Sequence, residues 1–145
     1  MVFFVRNLET SASFYRDILG FPEIGRMDLS GTRAAGFSAG RTHHELLLIE
    51  VGGSESARTM GKPGLYHVGF KIGDTPEDVK EAAHYLRSQG VTIIGASDHK
   101  ITHSLYILDP DGNELELYAD VSGEWKDDPN AIFAPIRALD LGDNE

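Results

Sequence analysis

The stretch Asp98 to Asp120, DHKITHSLYILDPDGNELELYAD, decides the fold. Leu105 and Ile107, then Leu115 and Leu117, alternate with more polar neighbours, the period-2 pattern of half-buried strands. Between the two runs lies Asp109-Pro110-Asp111-Gly112-Asn113. Proline suits the second position of a turn, Gly and Asn accept positive φ, and Asp can bond its own backbone. The stretch therefore reads as a hairpin. Alternation puts Thr102, Ser104 and Tyr106 on one face of the first strand, and Glu114, Glu116 and Tyr118 on one face of the second. An acid flanked by leucines in mid-strand has two readings. Either Glu116 faces solvent on an edge strand, or it binds a metal.

Outward from the hairpin the same grammar recurs. Met1 to Arg6 reads as a strand. Asn7 caps a helix whose stripe is Leu8, Ser11 or Ala12, Tyr15, Ile18 and Leu19, and Gly20 closes it. Strands follow over Phe21–Ser30, Ala34–Ala39 and His43–Val51. After a Gly-, Ser- and charge-rich stretch, Leu65–Ile72 is a strand. Thr75, Pro76 and Asp78 start a second helix, with Val79, Ala82, Ala83 and Leu86 as its buried stripe. Gly90 ends it, Val91–Gly95 is a strand, and the hairpin completes the set. The expected organisation is a first βαβββ module over 1–52, a linker over 53–63, a second module over 64–120 and a C-terminal extension over 121–145. In this register Glu45-Leu46 lies over Glu114-Leu115, Leu47 over Glu116 and Phe37 over Tyr106. Modules that cannot bury a sheet face alone must pair. The expected class is α+β: two tandem βαβββ modules pairing into a curved eight-stranded mixed sheet with helices outside. Its inner face would form a half-open funnel.

Composition excludes several functions. Among 145 residues, 13 basic face 23 acidic side chains and there is no cysteine. Nucleic-acid binding needs a cationic footprint. A thiolate zinc site and disulfides are impossible. No apolar run is long enough to span a bilayer and no leader pattern is seen, so a cytoplasmic protein is expected.

The tandem pattern resembles the vicinal oxygen chelate superfamily of glyoxalases, bleomycin-resistance proteins and extradiol dioxygenases. Gly64-Leu65-Tyr66-His67 at the opening of the second module, Asp98-His99 before the hairpin, and Tyr106 with Glu116 within LDPDGNELELYAD are similar to the catechol-2,3-dioxygenase branch. Alternation along Leu65–Ile72 places Leu65, His67, Gly69 and Lys71 toward the funnel, and Tyr66, Val68, Phe70 and Ile72 toward the helix. His67 and Glu116 then supply two thirds of a 2-His-1-carboxylate triad, which leaves open positions for substrate oxygens and O₂.

The resemblance implies the remaining roles. His67 and Glu116 are the metal ligands, with Fe(II) the first choice and Mn, Zn or Ni as alternatives. His99 is the general acid/base, and Tyr106 bonds a bound oxygen. The family's other histidine ligand would fall one position before Met1. His43, expected on the inner face with Glu45 and Leu47, and His44 are substrate-binding candidates at the funnel rim, or replacements for that ligand. His103 should face away from Tyr106, and His84 should lie on the exposed side of its helix. The extension, with Trp125, Ile132, Phe133 and Ile136, is expected to cover the funnel mouth or a partner subunit. The implied function is an extradiol-type ring-cleaving dioxygenase acting on a catechol-like aromatic with O₂, as a homodimer. The alternatives are a glyoxalase-like lyase or isomerase, and a non-enzymatic bleomycin-resistance-type drug-binding protein.

Overall fold

The computed structural model describes residues 1–55 and 63–142. Most of the expected linker over 53–63 lies outside the described residues. The chain divides into two compact units, Met1–Ala57 with Asp109–Asn113, and Arg58–Leu108 with Glu114–Glu145.

The first unit runs β1 (Val2–Val5), α1 (Leu8–Ser13), β2 (Glu23–Leu29), β3 (Thr32–Phe37) and β4 (Leu46–Glu50). Its sheet order is β1-β4-β3-β2, with β1 parallel to β4 and the other pairs antiparallel. Asn7 caps α1 by accepting from the Thr10 amide at 2.9 Å. The helix continues as a π-helical segment, Phe14–Ile18, and the chain leaves it through Gly20 at φ 74°. That one wide turn presents Tyr15 inward, fully buried against Phe3, Phe14 and Phe21. Phe3, Val5, Leu46, Leu48, Ala35 and Phe37 close the core beneath α1.

The second unit repeats the plan with β5 (His67–Gly73), α2 (Pro76–Ser88), β6 (Ile93–Asp98), β7 (Thr102–Leu108) and β8 (Glu114–Asp120). Its order is β5-β8-β7-β6, with the short β9 (Arg137–Ala138) at the β6 edge. Thr75 and Asp78 form the expected capping box, each side chain accepting from the other's amide. Gly73 allows this turn, because a Cβ there would overlap the Asp78 side chain. Val79, Ala83 and Leu86 of α2 are buried, and they pack on the face that carries Leu105, Ile107, Leu115 and Leu117.

The α+β class and the tandem βαβββ modules match the sequence reading, and the boundaries shift. β4 starts at Leu46, so His43 and His44 lie in the preceding loop rather than in a strand. β5 starts at His67, so Leu65 and Tyr66 escape the alternation assigned to them, and both are exposed. β6 runs on to Asp98. The register of the repeat also needs one correction. Leu47 pairs with Gly36, whereas Glu116 pairs with Tyr106. The counterpart of Tyr106 is therefore Gly36. Phe37 is one residue out and on the opposite, buried face, the usual consequence of a one-residue slip. The extension forms two short 3₁₀ turns and then β9 (Arg137–Ala138), which pairs antiparallel with β6. Trp125, Ile132, Phe133 and Ile136 remain exposed.

The hairpin turn is held by side chains. Asp109 Oδ1 accepts from the amides of Asp111 at 2.9 Å and Asn113 at 2.8 Å. Its Oδ2 accepts from Asn113 Nδ2 and from the Tyr15 hydroxyl, both at 2.8 Å. Asp111 accepts from the Arg6 amide at 2.8 Å, Arg6 Nε at 3.1 Å and Ser11 Oγ at 2.7 Å. Burial and the charge on Asp109 hold the Tyr15 phenol far above its usual value, so it stays a donor. Replacing Asp111 with alanine strands a buried hydroxyl and an amide. We expect Asp111→Ala to lose about 2–4 kcal/mol of stability, read as a lower urea midpoint at unchanged slope.

Candidate active site

The open face of the second sheet is built from one register. β5 and β8 run parallel with His67 opposite Glu114 and Gly69 opposite Glu116. β7 and β8 run antiparallel with Tyr106 opposite Glu116 and Ser104 opposite Tyr118. β6 adds Ser97 opposite Ser104. Alternation therefore collects His67, Glu114, Glu116, Tyr118, Tyr106, Ser104 and Ser97 on one side, away from α2.

Within this face the side chains converge. His67 Nε2 lies 3.3 Å from Glu116 Oε2. The Tyr106 hydroxyl donates to Glu116 Oε1 at 3.3 Å, and His99 Nε2 lies 3.1 Å from the same phenol oxygen. A phenol has one proton, so donation to Glu116 requires His99 to carry hydrogen on Nε2. His99 occupies the β6–β7 turn, where its amide bonds the Thr102 carbonyl at 2.9 Å. Lys100, with φ 71°, turns the chain there. Burial, then the charge of Glu116 and its hydrogen bond, push the Tyr106 phenol up to about 12, against weaker opposition from Ser104 and Ser97.

Four of the six expected site residues thus come together: His67, Glu116, Tyr106 and His99. His43 and His44 belong to the first unit, with rings 4.3 Å apart, edge to face. The alternation that put His43 beside Leu47 fails because neither histidine is in a strand. His103 turns away, its Nε2 3.7 Å from Asp98 Oδ1, and His84 is exposed.

One residue escaped the sequence reading. Tyr66 was assigned to the helix side, yet its exposed ring sits 4.5 Å from that of His67. A strand start at His67, two residues later than expected, takes Tyr66 out of the alternation. Gly69 lies on this face as alternation expected, and its missing side chain allows a close approach: a Cβ there would sit 3.5 Å from Glu116 Oε2 and 3.3 Å from Tyr118 Cε1.

One imidazole and one carboxylate fit two corners of a coordination sphere. Donors about 2.1 Å from one ion and at right angles lie about 3 Å apart, close to the separation found here. Among the described residues no group of three or more His, Cys, Asp or Glu side chains is arranged to hold one ion. Among them, too, no helix is long and apolar enough to cross a membrane.

Comparison with known proteins shows the family. A family model described as "Glyoxalase/Bleomycin resistance protein/Dioxygenase superfamily" matches residues 1–117. The chain is 34% identical to catechol-2,3-dioxygenase of Bacillus subtilis over 116 residues, which are 80% of this chain and 39% of that protein. It therefore spans well under half of that relative. It is 31% identical to the metallothiol transferase FosB of Staphylococcus epidermidis, over 86% of this chain and 80% of that protein. Among solved structures, a variant of the fosfomycin resistance protein FosX of Listeria monocytogenes, complexed with Mn(II) and dihydroxypropylphosphonic acid, superposes with a TM-score of 0.65. Its identity is 25%, covering 87% of this chain and 93% of that one.

The Tyr106 environment gives a direct check. Tyrosine ionisation followed by absorbance near 295 nm, with Tyr106→Phe as the reference, should show one phenol titrating near 12. Glu116→Gln should lower that value without bringing it to the free-tyrosine range, because burial is the larger cause.

Proposed function

The chain belongs to the glyoxalase/bleomycin resistance protein/dioxygenase superfamily, and from that premise we propose that it is a mononuclear metal-dependent enzyme of the extradiol ring-cleaving type, acting on a catechol-like aromatic with O₂. One observation carries the proposal. His67 and Glu116 converge at 3.3 Å on a face where His99 and Tyr106 form a hydrogen-bonded pair against the same carboxylate. The catechol-2,3-dioxygenase relative supports the choice of substrate class.

His67 and Glu116 would hold the ion, Fe(II) first in this reading. Bound there, it would supply Lewis acidity and a one-electron couple to substrate and dioxygen at its open positions. The chain supplies the rest. Tyr106 fixes the Glu116 rotamer by donating to Oε1, which leaves Oε2 for the ion. His99, with its hydrogen on Nε2 next to the phenol oxygen, would act as the general acid. The Tyr66 ring flanks His67 and offers an apolar face to an aromatic substrate.

The second reading is metal-dependent thiol transfer. It is supported by the 31% identity to the metallothiol transferase relative over 86% of this chain. Oxygen uptake across a catechol panel after anaerobic Fe(II) reconstitution separates the two from thiol consumption with fosfomycin and Mn(II). The dioxygenase reading expects one O₂ consumed per catechol and no loss of thiol; the reverse pattern would overturn it.

The site itself is tested by metal content. Glu116→Ala and His67→Ala should each bind metal at least about 10-fold more weakly while keeping native circular dichroism. Full occupancy in either variant refutes the pair. His99→Ala should keep its metal and lose about 100- to 10,000-fold in kcat.

A further inference from the structure

Glu114 is buried on the same face as the metal pair, with a side chain 6% exposed. It opens β8 directly opposite His67 in the parallel ladder. Its Oε1 lies 3.7 Å from His67 Nδ1, and that nitrogen is buried without a hydrogen-bond partner. The other ring nitrogen faces Glu116. The imidazole of His67 is thus bracketed by two carboxylates, one for each nitrogen.

A neutral imidazole has one N–H and one lone pair, and the bond made by one nitrogen decides which tautomer it adopts. An ion shared with Glu116 needs the lone pair on Nε2, so the proton must sit on Nδ1. A buried Nδ1–H needs an acceptor, and Glu114 Oε1 is placed to serve, just beyond hydrogen-bond reach in this geometry. A carboxylate behind a ligating histidine fixes both ring orientation and tautomer.

We propose that Glu114 is the positioning residue of the site: it accepts from His67 Nδ1–H, selects that tautomer and turns Nε2 toward the ion. The proposal rests on the reading of His67 and Glu116 as ligands. It adds a role for a side chain that touches neither ion nor substrate.

The test has two arms. The first uses metal-free protein in a Glu116→Ala background, where no acceptor competes at Nε2. Long-range ¹H–¹⁵N NMR of labelled histidine, assigned with His67→Gln, should show His67 as the Nδ1–H tautomer. Adding Glu114→Leu should move it to mainly Nε2–H. The second arm titrates Mn(II) by electron paramagnetic resonance in the otherwise native chain. Glu114→Leu should bind about 10- to 100-fold more weakly. Glu114→Gln, which keeps a carbonyl acceptor, should restore affinity to within a few-fold. An Nε2–H tautomer in the Glu116→Ala background, or native Mn(II) affinity in Glu114→Leu, overturns the inference. If Glu114→Leu fails to fold, the tautomer in Glu116→Ala alone and the Glu114→Gln titration decide it. A native chain that never binds Mn(II) but shows the Glu114-dependent tautomer would sink the metal reading and leave the positioning intact.

Discussion

The Asp109 carboxylate is the constraint on which the second unit's chemistry depends. It closes the turn from within by accepting two amides and the Asn113 side chain, and it is anchored by the buried Tyr15 hydroxyl. Gly112 takes φ 87°, a conformation that would strain most side chains. This turn sets which residue of β7 faces which residue of β8. Shift the pairing by one and Tyr106 and Glu116 part to opposite sides of the sheet. The carboxylate network therefore does more than end two strands. It fixes the register that lets phenol and carboxylate meet.

The two sheets share one strand plan and differ on their open faces. In the second, the face away from α2 carries His67, Glu114, Glu116 and Tyr106. In the first, the pairing registers put Val2, Phe4, Leu47, Ile49, Ala34, Gly36 and Met27 on the corresponding face. Ile24 reaches over Gly36 at the β2 bulge. Leu47 stands where the second unit has Glu116, and Gly36 where it has Tyr106. One unit thus keeps the architecture without polar chemistry, and the other places imidazole, carboxylate and phenol on the same frame. The backbone hydrogen bonds of a sheet do not depend on the outward side chains, so a duplicated module can diverge on one face while keeping its core on the other.

Much of this was legible in the residues because period-2 alternation and turn chemistry are local. The β7–β8 hairpin, both helix caps and the shared face of His67 and Glu116 follow from patterns a few residues long. What was not legible depended on where strands begin and how they pair. Nothing in HHELLLIE marks Leu46 as the start of β4, so His43 and His44 were read as strand residues. Tyr66 was misplaced for the same reason. The Phe37–Tyr106 correspondence failed by one residue because the two β-hairpin loops differ in length, and loop length carries no side-chain signal. Glu114 shared a face with Glu116 in the sequence, but its proximity to His67 Nδ1 exists only once β5 lies beside β8.

The centre of the site is a division of labour within one carboxylate. Glu116 offers Oε1 to the Tyr106 hydroxyl and Oε2 to the side of His67 Nε2. A carboxylate with both oxygens free would rotate, and its donor geometry would blur. Here the phenol holds one oxygen, and burial together with the negative charge of Glu116 keeps that phenol protonated well above neutral pH. Gly69 keeps the neighbouring position of β5 free of a side chain, so Glu116 Oε2 and the Tyr118 ring can both approach its backbone closely. The protonated phenol in turn fixes the hydrogen on His99 Nε2. A single interaction at Glu116 thus links the His67 side of the face to its His99 side. Any change that frees Oε1 should disturb both.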